Sequence, residues 1–144
     1  MAAPDFYFAV NAVFRHLHDR YGHGVLIDYW QRLGREYYRS RWQRWQRGGV
    51  EAIASDWRTY FEQEPKAVVI VSIDGDSVEL DIRICPAIKH LRNCDHEVVP
   101  YFCEHCDHIC SAMAEMAGFS FERTGGMGSC RQRFVRSGKK GEES

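Results

Sequence analysis

Apolar residues recur every three to four positions between Asp5 and Tyr21, where Phe6, Val10, Val13, Phe14, Leu17 and Tyr21 repeat at helical spacing. Asp5 after Pro4 suits the N-cap of this helix, and Gly22 and Gly24 end it. A second helix is predicted from about Val25 to Gln46, with Leu26, Trp30, Leu33 and Tyr37 on one face and a break at Gly48-Gly49. A third, roughly Val50 to Gln63, buries Ile53, Trp57, Tyr60 and Phe61 and stops near Pro65. The period then shortens to two. Ala67 to Ile73 and Val78 to Ile84 flank Asp74-Gly75, a hairpin signal because glycine accepts the positive φ of such turns. Val78, Leu80, Ile82 and Ile84 face the core on this reading, and Glu79, Asp81 and Arg83 face water.

After Cys85-Pro86 the pattern predicts a short helix with Ala87, Ile88 and Leu91, then a longer one from Val98 or Pro100 to Ala117 that Gly118 ends. Phe119 to Arg123 and Ser129 to Arg136, separated by Gly125-Gly-Met-Gly, read as a second hairpin. The predicted order is ααα-ββ-αα-ββ: one α+β domain over residues 1–136, its two hairpins sharing one antiparallel sheet, and a disordered tail over 137–144.

Composition narrows the function classes. With 144 residues, 44% of them hydrophobic, a single core is affordable without disulfide staples. Nineteen Lys and Arg against 20 Asp and Glu leave a net charge of −1, which argues against a dedicated nucleic-acid binder. No apolar run approaches the roughly 18 to 20 residues that span a bilayer, and the N-terminal residues lack a secretion-signal pattern. The expectation is a cytoplasmic domain with no nucleic-acid or membrane partner. Arg32, Arg35, Arg39, Arg41, Arg44 and Arg47 do interleave with Trp30, Tyr37, Tyr38, Trp42 and Trp45. That spacing fits the outer face of an amphipathic helix, although some of these aromatics could line a small-molecule pocket or a homodimer contact.

Six cysteines change the picture, because all fall between Cys85 and Cys130. In a reducing compartment clustered thiols point to metal binding or catalysis before disulfides. Cys85 precedes Pro86 at a helix entrance, where free backbone N–H groups and the positive dipole end are expected to favour its thiolate. Cys103, Cys106 and Cys110, at i, i+3 and i+7, fall within roughly 60° of one another on a helix, beside Met113 and Ala117. Cys103, near the helix entrance, is also expected to favour the thiolate. His105 and His108 lie roughly 140° to 200° from Cys103, so the run Cys-Glu-His-Cys-Asp-His-Ile-Cys is not one ligand cluster if helical. Cys130 shares strand parity with Gln132 and Phe134 and can meet that helix face. The expectation is that Cys85, Cys103 or Cys106, and Cys130 converge on one pocket from three elements. His90 could reach the same pocket; His96 caps the longer helix; His16, His18 and His23 read as surface. Any of these thiols could instead be small core residues.

Cys85-Pro86, the Cys103 thiol on the next long helix, and Gly128-Ser129-Cys130 followed by Phe134 resemble the L-2-amino-thiazoline-4-carboxylic acid hydrolase family, small bacterial α+β proteins. The resemblance covers roughly Cys85 to Phe134, and the thiols Cys106 and Cys110 add to its pattern. It implies site positions at Cys85, Cys103 and Cys130, and opening of a cyclic amidine-like thiazoline at the carbon between nitrogen and sulfur, giving an N-carbamoyl cysteine. On that reading Cys85 is the nucleophile, His90 or His105 the acid–base partner, and Lys89 or Arg92 the anchor for a substrate carboxylate. Thiol-held zinc or iron could activate water instead. The competing reading is a non-enzymatic metal or iron–sulfur sensor with Cys85, Cys103, Cys106 and Cys130 as ligands; a purely thiol-based mechanism needs no cofactor.

Overall fold

The computed structural model describes residues 4–137. Helix α1 (Pro4–Tyr21) is followed by α2 (His23–Arg32), a π-helical turn (Leu33–Tyr37) and α3 (Arg39–Glu62). The hairpin β1 (Val68–Asp74) and β2 (Ser77–Ile84) comes next, then α4 (Pro86–Asn93) and α5 (Glu104–Ala117), and last the hairpin β3 (Phe119–Gly126) and β4 (Ser129–Arg136). The two hairpins form a single antiparallel sheet in the order β1-β2-β4-β3. The fold is α+β, with the predicted sequence of helices and hairpins. Ser137 donates its N–H to the Gly118 carbonyl at 3.0 Å, and the rest of the expected disordered tail lies outside the described residues.

Period-two patterning places Val78, Leu80 and Ile82 of β2 and Gln132 and Phe134 of β4 in the interior. One core lies under the sheet, where Trp42, Trp45 and Ile53 of α3 and Cys110, Met113 and Ala117 of α5 meet Val78, Leu80, Phe119 and Phe134. A second core joins Tyr7 and Phe14 of α1 and Leu26 and Trp30 of α2 to Ile88 and Leu91 of α4, with Val99 and Phe102 from the loop before α5. Cys85 and Ile109 pack against both cores. Helix α5 is therefore the wall between them.

Several boundaries differ from the sequence expectation; Gly24, expected to end the first helix, lies inside α2. The helix predicted over Val25–Gln46 is interrupted at the π-helical turn, and Gly48-Gly49 kinks α3 instead of ending it. The interruption occurs where α5 approaches most closely: a Cβ on Gly34 would stand 2.6 Å from the Ile109 carbonyl oxygen and 2.7 Å from Ala112 Cβ. The kink follows from Gly49, whose φ of 66° suits a residue without a side chain. Across it, the Asp56 carboxylate accepts hydrogen bonds from Arg41 (3.0 Å), Arg44 (3.0 Å) and the Trp45 indole (2.8 Å). The Arg41 guanidinium also lies over the Tyr38, Trp45 and Trp57 rings. Part of the arginine-aromatic run is thus internal packing.

The longer helix begins at Glu104, later than the Val98 or Pro100 expected. Buried Asn11 explains the delay, because its amide donates to the Glu97 carbonyl (2.9 Å) and its oxygen accepts the Val99 N–H (3.1 Å), holding the chain in a loop. Cys103 consequently occupies the N-cap of α5. Among the described residues no helix is long and apolar enough to cross a membrane.

Gly34→Ala should cost about 1 to 3 kcal/mol, read as a lower denaturant midpoint, because the new methyl meets backbone that cannot step aside. Asp56→Ala should cost about 3 kcal/mol, because it leaves Arg41 partly buried without its carboxylate. Burial alone would raise the Asp56 pKa, but Arg41 and the hydrogen bonds from Arg41, Trp45 and Arg44 hold it below the ordinary carboxylate value. This stability is present above the unfolded carboxyl pKa and is lost as pH falls through the folded one. The variant should therefore lose less stability than the parent in acid titration.

Candidate functional site

The N-termini of α4 and α5 meet the turn between β3 and β4. Met127, at φ 55°, and Gly128 form this turn. The Cys85 N–H donates to the Gly128 carbonyl at 2.9 Å, fastening the entrance of α4 to it. The Met127 N–H donates to Cys103 Sγ at 3.2 Å, and the Met127 thioether lies 3.8 Å from the same sulfur. Arg123 completes the frame with a two-pronged pair to Asp107 (2.8 and 2.9 Å) and a hydrogen bond to the Gly125 carbonyl.

This frame brings Cys85 at the N-cap of α4, Cys103 and Cys106 at the start of α5, and Cys130 of β4 into mutual electrostatic reach, with Cys110 one turn deeper beside Cys106. Cys130 also lines an open depression of about 540 Å³ with Ile82, Thr124, Gly125 and Ser129. The expected activation of Cys85 and Cys103 by a helix entrance is overturned. Burial pushes the Cys85 thiol up to about 11, against the opposing N–H groups of Ile88 and Ala87, neither of which makes a side-chain cap hydrogen bond. Burial likewise raises Cys103, in spite of the Met127 N–H. It lifts Cys106 and Cys130 to about 11 and Cys110 well above its usual value. Desolvation outweighs the dipole because it acts on the whole thiolate charge, whereas the helix end supplies a fraction of one.

His105 and Cys106 form the one imidazole–thiol contact inside this group. A carbonyl can only accept, so the short bond between His105 Nδ1 and the Phe102 oxygen puts the ring proton on Nδ1. The neutral ring then offers the Nε2 lone pair, which lies 3.6 Å from Cys106 Sγ. Phe14 and Phe102 rings flank the imidazole at 5.3 and 4.8 Å. Burial among them pulls its pKa below the ordinary histidine value, against the Phe102 carbonyl. At neutral pH the pair rests as thiol and imidazole. The Gln132 amide, buried on β4, donates to Cys130 Sγ at 3.7 Å and favours the Cys106 thiolate in the same way.

The other predicted site residues are placed differently. His90 turns away toward the Tyr7 ring (6.2 Å) and exposed Cys94 (3.8 Å). Lys89 is exposed on α4. Arg92 is exposed too, but its guanidinium lies over the turn, where a Cβ on Gly128 would come within 3.2 Å of Nη1. Arg92 makes no ion pair among the described residues. His108 stacks on Trp30 at 5.7 Å. His96 packs on Phe8 at 4.6 Å, well before the N-cap of α5.

Tyr7, Glu64 and Gln132 were not among the predicted site residues. Tyr7 donates its hydroxyl to buried Glu64, with Tyr60 nearby. Burial raises both phenols above their usual value. Tyr7 and Glu64 lie 57 positions apart, and no periodicity links them. Gln132 could have been found, because a glutamine at a core-facing strand position needs a polar partner.

No protein-family model, curated protein or solved structure matches the chain. Among the described residues, no three His, Cys, Asp or Glu side chains gather as a group able to hold a metal ion. The zinc, iron or iron–sulfur reading thus gains no ligand set from the arrangement of Cys85, Cys103, Cys106 and Cys130.

Alkylation followed by mass spectrometry should label exposed Cys94 first at neutral pH. Labelling of Cys85, Cys106 and Cys130 should be slow there and rise about tenfold per pH unit until about pH 11. Because these folded pKa values exceed that of a free thiol, their contribution to stability is complete below the unfolded thiol pKa. It drains away as pH climbs through about 11, so alkaline unfolding should begin in that window.

Proposed function

We propose that the protein is a thiol-dependent hydrolase of small cyclic molecules, with Cys106 as nucleophile and His105 as its proton acceptor. The observation that supports this most directly is the 3.6 Å approach of His105 Nε2 to Cys106 Sγ, with the other ring nitrogen held by the Phe102 carbonyl. A base within reach of a thiol, itself oriented by a third group, is the arrangement that activates a nucleophile of high pKa only as it attacks. Cys85 has no such partner and serves as a wall of the site. Cys103 anchors the Met127–Gly128 turn.

The resemblance to the thiazoline-carboxylate hydrolases supplies the substrate class. In the proposed reaction Cys106 Sγ attacks the carbon between ring nitrogen and ring sulfur, and its proton passes to His105 Nε2. The ring C–S bond breaks, and His105 returns the proton to the departing sulfur. Water, deprotonated by the same nitrogen, then attacks the enzyme-bound carbon and expels Cys106, leaving an N-carbamoyl product. Arg92, over the Gly128 backbone and without an ion pair among the described residues, is the anchor for the substrate carboxylate.

The test is ring opening of 2-amino-thiazoline-4-carboxylate, followed by the appearance of a free thiol. Cys106→Ala and His105→Gln should each lower kcat by about 10² to 10⁴. Arg92→Ala should raise KM with little change in kcat, since it removes binding common to ground and transition states. The pH–rate profile should rise with loss of the His105 proton, below the usual histidine range, and be flat at neutral pH. Wild-type turnover in Cys106→Ala, or loss of activity in Cys85→Ala alone, would overturn the assignment.

A further inference from the structure

Cys103 and Cys106 occupy the N-cap and third positions of α5, joined by a hydrogen bond of 3.2 Å from the Cys106 N–H to the Cys103 carbonyl. In helical geometry this spacing sets the two Cα atoms about 5 Å apart. That lies inside the window of about 4.4 to 6.8 Å that a disulfide spans. Both side chains are half-buried and neither sulfur is bonded to another. Cys110 and Cys130 are the alternative partners for Cys106. Cys110 is buried under the sheet, and Cys130 accepts a hydrogen bond from the Gln132 amide.

From this placement we propose that Cys106 is a site of reversible thiolation by low-molecular-weight disulfides, with Cys103 as the resolving thiol. The inference shares the Cys106–His105 contact with the hydrolase reading but needs no hydrolytic activity. In the first step Cys106 Sγ forms a bond to one sulfur of the small disulfide. Its S–S bond breaks, and the proton taken up by His105 Nε2 goes to the departing thiolate. In the second step Cys103 Sγ attacks Cys106 Sγ and expels the second small thiol, which takes the Cys103 proton. One small disulfide is reduced to two thiols as the two protein thiols are oxidised to a Cys103–Cys106 bond. The attacking Cys103 sulfur is the acceptor of the Met127 N–H. Oxidation therefore loosens the hold of α5 on the β3–β4 turn and blocks the Cys106 sulfur at the same time.

The experiment incubates the reduced 144-residue chain with oxidised glutathione at about pH 8, quenches with acid and maps peptides without reduction. Cleavage after Glu104 and Asp107 separates Cys103, Cys106 and Cys110, so each linkage has its own mass. The expected product is a linked Cys103–Cys106 peptide pair, lighter by two hydrogens than the two reduced peptides and restored by excess thiol, whether or not exposed Cys94 also carries glutathione. Cys103→Ser should instead accumulate a glutathione adduct on Cys106, and Cys110→Ser should behave as the parent. A folded protein that gains no linkage, a linkage from Cys106 to Cys130, Cys110 or Cys85, or modification confined to exposed Cys94 would each overturn the proposal. Mass is read whether or not the protein turns over a thiazoline, so failure of one proposal does not imply failure of the other.

Discussion

Gly34 leaves no side chain between the π-helical turn and α5, so the Ile109 carbonyl and Ala112 approach to where a Cβ would stand. This close approach lets one helix serve two cores. Its face bearing Cys110, Met113 and Ala117 packs under the sheet, while Ile109 also reaches the aromatic cluster of α1 and α2. Were α5 held farther out, Trp30 and His108 could not stack, and His105 would leave the space between Phe14 and Phe102. The position of the candidate base thus depends on a glycine with no chemistry of its own.

The thiols illustrate a competition whose outcome turns on magnitude. A helix entrance favours a nearby thiolate by about 1 kcal/mol, equivalent to less than one pKa unit. Enclosure beside two cores acts in the opposite sense, and the net result at Cys85 is a thiol at about 11. Neighbouring sulfurs add to the same effect, since each thiolate would repel the next. A group of buried thiols therefore keeps its members protonated, and a nucleophile within it needs a base rather than a dipole. Only Cys106 has an imidazole within contact distance among the buried thiols.

Local periodicity made most of the fold legible. Alternation in Val78 to Ile84 identifies the core face of β2, and parity along Cys130, Gln132 and Phe134 identifies that of β4. The same reasoning brings Cys130 toward α5. What was not legible depends on contacts distant in sequence. Asn11 delays the start of α5 by holding Glu97 and Val99, and Tyr7 reaches Glu64 across 57 positions. Burial, too, is a tertiary property, and for that reason the shift of Cys85 was expected in the wrong direction. Helical angles placed His105 away from the thiol face, yet they describe where Cβ points and not where a two-bond side chain turns its ring.

That ring orientation is the step that joins the two halves of the chain. Adjacent helical positions diverge by about 100°, so an imidazole at His105 meets the Cys106 sulfur only if it is turned back along the helix. The buried Phe102 carbonyl, which also accepts the His105 backbone N–H at 3.2 Å, accepts a hydrogen bond from Nδ1 and holds the ring in that turn. Phe14, on α1, packs against the imidazole with ring centroids 5.3 Å apart. Asn11 holds Glu97 and Val99 in the loop that leads to Phe102, ahead of α5. Two α1 residues three positions apart, Asn11 and Phe14, therefore touch the loop before α5 and the imidazole whose thiol neighbour is Cys106. The aromatic front of the chain, undistinctive as sequence, thus packs directly against the imidazole that lies beside Cys106.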